Sequence, residues 1–137
     1  LRVSLDHSEL LTPDHLRQRI DPRSDLILFR SGWSKYRGSA RYSRQNPGVH
    51  ASLALWLRKR CPNIRAIGFD WVSLSSFRDR EHGWEAHREF LGTRKPILII
   101  EDMDLRFAAG ALREVWVAPL RISGIDSAPC TVMGVFR

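Results

Sequence analysis

Cysteine is scarce in this chain: only two occur among 137 residues, Cys61 and Cys130, far apart and outside any CxxC spacing. That argues against a zinc knuckle or a dense disulfide framework, and both cysteines read as small buried apolar residues. Long apolar runs are missing as well. No stretch approaches the roughly 18–20 residues that a membrane span needs, and Leu1-Arg2-Val3-Ser4 lacks the apolar core of a secretory signal. A soluble, cytoplasmic protein with no membrane partner is therefore expected. Position 1 is not Met, which suggests that the chain begins inside a longer gene product. Several catalytic templates are also lacking. There is no GxSxG elbow, no P-loop and no GxGxxG after a strand, and Cys61 sits on a basic helix end without an adjacent histidine.

What is present suits one domain spanning residues 1–137. At 43% hydrophobic residues the chain is long enough to bury a core. The formal charge of +7 rests on nineteen arginines and only three lysines. Such a surplus could serve a polyanion, yet the charges are dispersed. The one tight group, Arg58-Lys59-Arg60, falls at a predicted helix end, where cations favourably meet the helix dipole.

Thr12-Pro13-Asp14 is a helix-start signal and predicts a short helix over 13–20 that stops before Asp21-Pro22. The apolar run Leu26-Ile27-Leu28-Phe29 predicts a buried strand. From Gly32 to Gly48 neither period 2 nor period 3.6 appears, so the segment reads as a long loop carrying Trp33, Tyr36 and Tyr42. Leu53, Trp56 and Leu57 at i, i+3 and i+4 predict a helix over 50–60. A strand over 64–69 leads to Asp70, and a polar loop follows over 71–82. Trp84, His87 and Leu91 give a helix over 84–91, which Gly92 closes. Ile97 to Ile100, introduced by Pro96 and ending at Glu101, is the plainest strand in the chain. Two further strands are predicted at 115–118 and 131–136. Strands alternating with helices indicate an α/β domain with a parallel or mixed central sheet. In such sheets ligand-binding groups collect at the carboxyl ends of strands, the positions Asp70 and Glu101 occupy.

His87 and Glu101 are the candidate pair for chemistry. Neutral imidazole and carboxylate are donors that zinc or manganese accepts. Spacing alone also fits the more frequent case, a half-buried helix histidine and the first exposed residue after a core strand. Asp102 and Asp104 read as turn or cap residues, and His7, His15, His50 and His82 as surface residues. The loop aromatics either line an apolar pocket for an aromatic substrate or pin the loop to the core.

Several segments taken in order resemble the cyclase family of metal-dependent hydrolases, which includes bacterial kynurenine formamidase. Leu-Ile-Leu-Phe-Arg-Ser-Gly-Trp (Leu26 to Trp33) resembles the family's strand ending in Arg-Thr-Gly-Trp. Tyr42 with Pro47-Gly48 is similar to its following loop and Pro-Gly turn, and the helix to Trp56-Leu57 to its helix. Ile67-Gly68-Phe69-Asp70 with Ser73 is similar to its Gly-Ile-Asp-x-x-Ser segment. Ala86-His87, Leu91-Gly92, Pro96-Ile97, Glu101 and Leu105 follow the family's order, as do Ala118-Pro119-Leu120, Gly124, Asp126, Ser127 and Pro129.

The resemblance implies a swivelling β/β/α-type fold, with a mixed sheet and flanking helices, and hydrolysis of an amide bond of the N-formylkynurenine or cyclic amide kind by metal-bound hydroxide. It implies His87 and Glu101 as ligands of zinc or manganese, Asp70 and Ser73 shaping the site, and Trp33 and Tyr36 facing the substrate. It also implies a homo-oligomer or a complementing N-terminal segment, because the family's His-x-x-x-His-x-Asp-x-Pro motif has no counterpart in Leu1 to Arg30. The acidic residue often found two positions after the matched serine is Ser75 here, and Val49-His50 displaces the serine usual after the Pro-Gly turn. With two protein ligands the metal site is incomplete within this chain, so no catalytic residue is assigned. The alternative is a non-catalytic cyclase-like domain kept for binding or assembly, possible partners including nucleic acid.

Overall fold

The computed structural model describes residues 1–16, 19–107 and 110–137 and divides into two compact units, Leu1–Arg106 and Phe107–Arg137. The first unit is built on a three-stranded parallel sheet, in the order β2 (Leu26–Phe29), β4 (Ala66–Phe69), β5 (Leu98–Ile100). β4 is central, with Ile67 opposite Ile27 on one side and Ile99 on the other. The apolar runs that predict these strands are long enough for a strand and too short for a helix, and β4 buries Ile67, Gly68 and Phe69 completely or nearly so. A Cβ on Gly68 would stand 2.6 Å from Met103 Sδ and 2.8 Å from Leu28 Cδ2, so the middle strand has no room for a side chain there. A second, two-stranded parallel sheet pairs β1 (Leu10–Leu11) with β3 (Gly48–Val49). The expected mixed α/β class therefore holds.

Because β2, β4 and β5 run parallel, their carboxyl ends lie along one edge of the sheet. Ser31 and Gly32 follow β2, Asp70 to Ser73 follow β4, and Glu101 and Asp102 follow β5. Parallel strands need crossovers, and helices supply them: α2 (Ser52–Arg60) lies between β2 and β4, and α3 (Arg80–Leu91) between β4 and β5.

Several local expectations change. Pro13–Leu16 is a single 3-10 turn, not the start of a helix over 13–20, and residues 17 and 18 of that expectation lie outside the described residues. The stretch from Gly32 to Gly48 is not a plain loop: it holds a 3-10 turn over Trp33–Tyr36, the five-residue helix α1 (Ala40–Arg44) and β3. Turns this short show too few residues for a period to be read. α3 starts four residues earlier than predicted, because the Asp79 side chain caps it by accepting the His82 backbone N–H. Its buried face is Gly83, Ala86 and Phe90; Trp84 is 63% exposed and Leu91 44%, so the apolar spacing that predicted the helix marks its outer side.

Arg58 does not simply sit at its own helix end. Its guanidinium reaches α3 and donates to the carbonyls of Glu89 (2.6 Å) and Phe90 (3.2 Å), with Thr93 Oγ1 at 3.0 Å and the Lys95 carbonyl at 3.2 Å. A cation thus satisfies the orphan carbonyls of a neighbouring helix, while Lys59 and Arg60 stay exposed.

The second unit is an antiparallel hairpin, β6 (Leu112–Pro119) with β7 (Cys130–Phe136), bulged between Leu112 and Glu114. Both strands start earlier or run longer than the apolar cores that predict them, since Leu112, Glu114, Pro119 and Cys130 also pair. Trp116, Val117, Met133 and Val135 are exposed. Cys61 is buried as expected. Cys130 is exposed, contrary to expectation, because a hairpin strand has no second layer within its unit to cover it.

Candidate functional site

Asp70 ends β4 and is fully buried. Its carboxylate accepts the Ser31 N–H at 2.8 Å, the Ser31 hydroxyl at 2.7 Å and the Gly32 N–H at 2.7 Å. It therefore ties the end of β2 to the end of β4 and fixes the first turn of the segment that carries Trp33. A charge can be buried here because three donors surround it.

Glu101 ends β5. Its Oε1 accepts the Leu74 backbone N–H at 2.7 Å, with the Ser73 hydroxyl at 3.4 Å, while Oε2 accepts no hydrogen bond among the described residues. His87 comes to the same oxygen from α3, its Nε2 standing 3.8 Å from Glu101 Oε1. That is too far for a hydrogen bond. The other ring nitrogen, Nδ1, is 2.8 Å from the Gly83 carbonyl, one helical turn back. A carbonyl only accepts, so Nδ1 is the donor in this contact and Nε2 is the ring nitrogen nearer Glu101. A ring nitrogen held in this way by a backbone carbonyl is the orientation a metal-ligating histidine shows.

The fit to a divalent cation can be tested by reach. Metal–nitrogen and metal–oxygen bonds of about 2.0–2.2 Å let two ligands of one ion stand up to roughly 4.2 Å apart, and 3.8 Å lies inside that limit. The pair thus has the chemistry and span of two ligands. No group of three or more His, Cys, Asp or Glu side chains able to hold a metal occurs among the described residues.

The remaining predicted residues fall around this edge. The Ser73 hydroxyl stands beside Glu101 at 3.4 Å. Trp33 is 5% exposed, stacks edge-on against Tyr36 at 4.9 Å, and donates its indole N–H to the Tyr42 carbonyl at 3.3 Å. Of the two aromatics expected to face substrate, Trp33 belongs to the core and pins its segment there. Tyr36 is half-buried, with the Arg41 guanidinium 4.0 Å from its ring centre. Asp70 turns its carboxylate to Ser31 and Gly32. Among the other histidines, His82 pairs with Asp79 at 2.9 Å, which raises the imidazole pKa and lowers that of the carboxyl. His50 Nδ1 accepts the Ser52 N–H at 3.1 Å, and its ring lies 5.6 Å from that of His82.

Two features escaped the sequence reading. Tyr42 donates its hydroxyl to Asp102, a bond between positions far apart that nothing local signals. Burial and the Asp102 carboxylate both push the Tyr42 phenol well above its usual range. Gly83 does carry a signal, a glycine inside a helix. A Cβ there would lie 2.1 Å from Ser75 Oγ, 2.3 Å from Ser75 Cβ and 2.9 Å from Ser75 Cα, so α3 presses against the segment after β4. Alanine would gain about 1 kcal/mol in helix preference, but overpacking against backbone costs about 1–3 kcal/mol. Gly83→Ala should therefore lower stability by up to about 2 kcal/mol; a melting temperature above that of the wild type would contradict this contact.

The family model described as "Putative cyclase" matches residues 2–76. The match begins upstream of Leu26, where the motif-by-motif resemblance starts, and it includes Trp33, Tyr36, Asp70 and Ser73. It ends before His87 and Glu101, which stand on their geometry. No curated protein matches the chain.

Proposed function

Because the chain belongs to the cyclase family, we propose that it works as part of a metal-dependent hydrolase in which His87 and Glu101 hold a divalent cation, zinc or manganese, beside a small-molecule amide. The observation that carries this reading is His87 Nε2 standing 3.8 Å from Glu101 Oε1, with Nδ1 held by the Gly83 carbonyl. A bound divalent cation supplies Lewis acidity and lowers the pKa of water, giving a nucleophile at neutral pH.

The chain's own residues prepare that site. Gly83 orients the imidazole, the Leu74 N–H fixes the Glu101 carboxylate, and the Ser73 hydroxyl stands next to the same oxygen. Asp70 holds the ends of β2 and β4 together beneath it. Tyr36, half-buried, offers the aromatic face for an N-formylkynurenine-like or cyclic amide, while Trp33 backs it from the core. The remaining ligands come from water, from a second subunit of a homo-oligomer, or from a complementing segment.

The absence of a three-donor cluster among the described residues also favours a second reading, a cyclase-like binding domain without catalysis. One assay separates the two. With zinc or manganese, the full-length protein should hydrolyse an aryl formamide, lose that activity to a chelator and regain it with the metal. No metal-dependent turnover, together with tight salt-sensitive binding of RNA, would replace the hydrolase with the binding domain.

A further inference from the structure

Glu101 is followed by a residue held through both its backbone and its side chain, Asp102. Asp102 has φ 58°, a left-handed conformation that an aspartate tolerates better than most side chains. Its backbone N–H donates to the Trp71 carbonyl at 2.9 Å, continuing the contact between the chains leaving β4 and β5. Its carbonyl accepts Arg37 Nη2 at 3.1 Å. The carboxylate takes the Tyr42 hydroxyl and pairs with Arg37 Nη1 at 2.7 Å. Backbone donor, backbone acceptor and side chain are all engaged at the residue next to the proposed ligand.

The grip also reaches the aromatic segment. Tyr42 is buried on α1, its carbonyl accepts the Trp33 indole N–H, and the Arg37 guanidinium lies 5.1 Å from its ring centre. Arg37 additionally donates to the Met103 carbonyl at 3.4 Å. Trp33, Tyr42, Asp102 and Glu101 thus form one connected path from the core anchor of the aromatic segment to the candidate ligand.

We infer that Asp102, latched by Tyr42 and Arg37, is a positioning residue that sets the Glu101 carboxylate against His87 and couples it to the Trp33–Tyr42 segment. The inference rests on the reading of Glu101 as a cation ligand. The Arg37–Asp102 pair is substantially exposed, the two side chains being 36% and 47% accessible, and solvent screens such pairs. The latch therefore acts chiefly through the Tyr42 hydroxyl and the backbone bonds.

Zinc titration calorimetry on the wild type and on the Asp102→Gly, Asp102→Asn, Tyr42→Phe and Glu101→Gln variants, with melting curves alongside, tests it. Glycine suits the left-handed backbone, so Asp102→Gly removes the side-chain contacts of the latch to Tyr42 and Arg37 while keeping the backbone bonds and with them a melting temperature near that of the wild type. Asp102→Gly and Tyr42→Phe should weaken zinc binding about tenfold or more, the usual scale for groups that orient ligands. Asp102→Asn keeps an acceptor for Tyr42 and should hold the loss below about threefold. Should Asp102→Gly and Tyr42→Phe bind zinc like the wild type while Glu101→Gln does not, the latch is structural only and the cation site stands. Identical zinc binding by the wild type and Glu101→Gln would instead overturn the cation site, and the latch with it.

Discussion

Asp70→Ala should lower stability by about 3–4 kcal/mol, the largest effect expected of any single change at the sheet edge. The carboxylate is fully buried and accepts three hydrogen bonds of 2.7–2.8 Å, two from backbone N–H groups that have no strand partner to turn to. A hydrogen bond to a charged group contributes about 1.5–3 kcal/mol, and a buried donor left unpaired costs about 1–3 kcal/mol. The three bonds share one carboxylate and do not add fully. In a chain of this size the loss corresponds to a fall in Tm of roughly 10 °C. Asp70→Asn should recover part of the loss, because its one oxygen can still accept from Ser31 while its NH2 faces the Gly32 N–H, which then lacks an acceptor. A loss below about 1 kcal/mol would mean that the ends of β2 and β4 hold together without Asp70.

His87→Ala and Glu101→Ala should behave in the opposite way, with small changes in stability and a large loss of cation affinity. Both side chains are about a third exposed, 37% and 35%, and neither fills the core. Removing an orienting group typically costs 10–100-fold in metal affinity, so removing one of only two protein donors should cost at least about 100-fold. Glu101→Gln refines the test. Its amide oxygen can still accept the Leu74 N–H, so the loop stays anchored while the charged ligand is gone. If Glu101→Gln loses affinity and Glu101→Ala loses both affinity and about 1 kcal/mol of stability, the two roles of Glu101 are separated. Both variants binding zinc as the wild type does would refute its role as a ligand.

The features legible in sequence are those dictated by short-range pattern. Leu26–Phe29, Ala66–Phe69 and Leu98–Ile100 are strands because runs of three or four apolar residues bounded by polar ones fit a buried parallel sheet. Asp70 and Glu101 stand at their carboxyl ends because a charge that follows such a run leaves the core there. On α3 the exposed Trp84 and Leu91 share the helical period with the core positions Gly83, Ala86 and Phe90. Period fixes the helix but not which side is covered. The segment from Trp33 to Arg44 shows no period, because its turn and short helix are held by contacts to Tyr42, Asp102 and Met103 and not by an amphipathic face. The left-handed Asp102 is invisible for the same reason: its partners Tyr42 and Arg37 lie some sixty positions away.

The most direct measurement is anomalous diffraction from crystals of this chain soaked in zinc. The proposed site predicts an anomalous peak within about 2.0–2.2 Å of both His87 Nε2 and Glu101 Oε1, lost in the Glu101→Gln variant. Zinc density elsewhere with none between these two side chains, or a peak that persists without the Glu101 carboxylate, would contradict it.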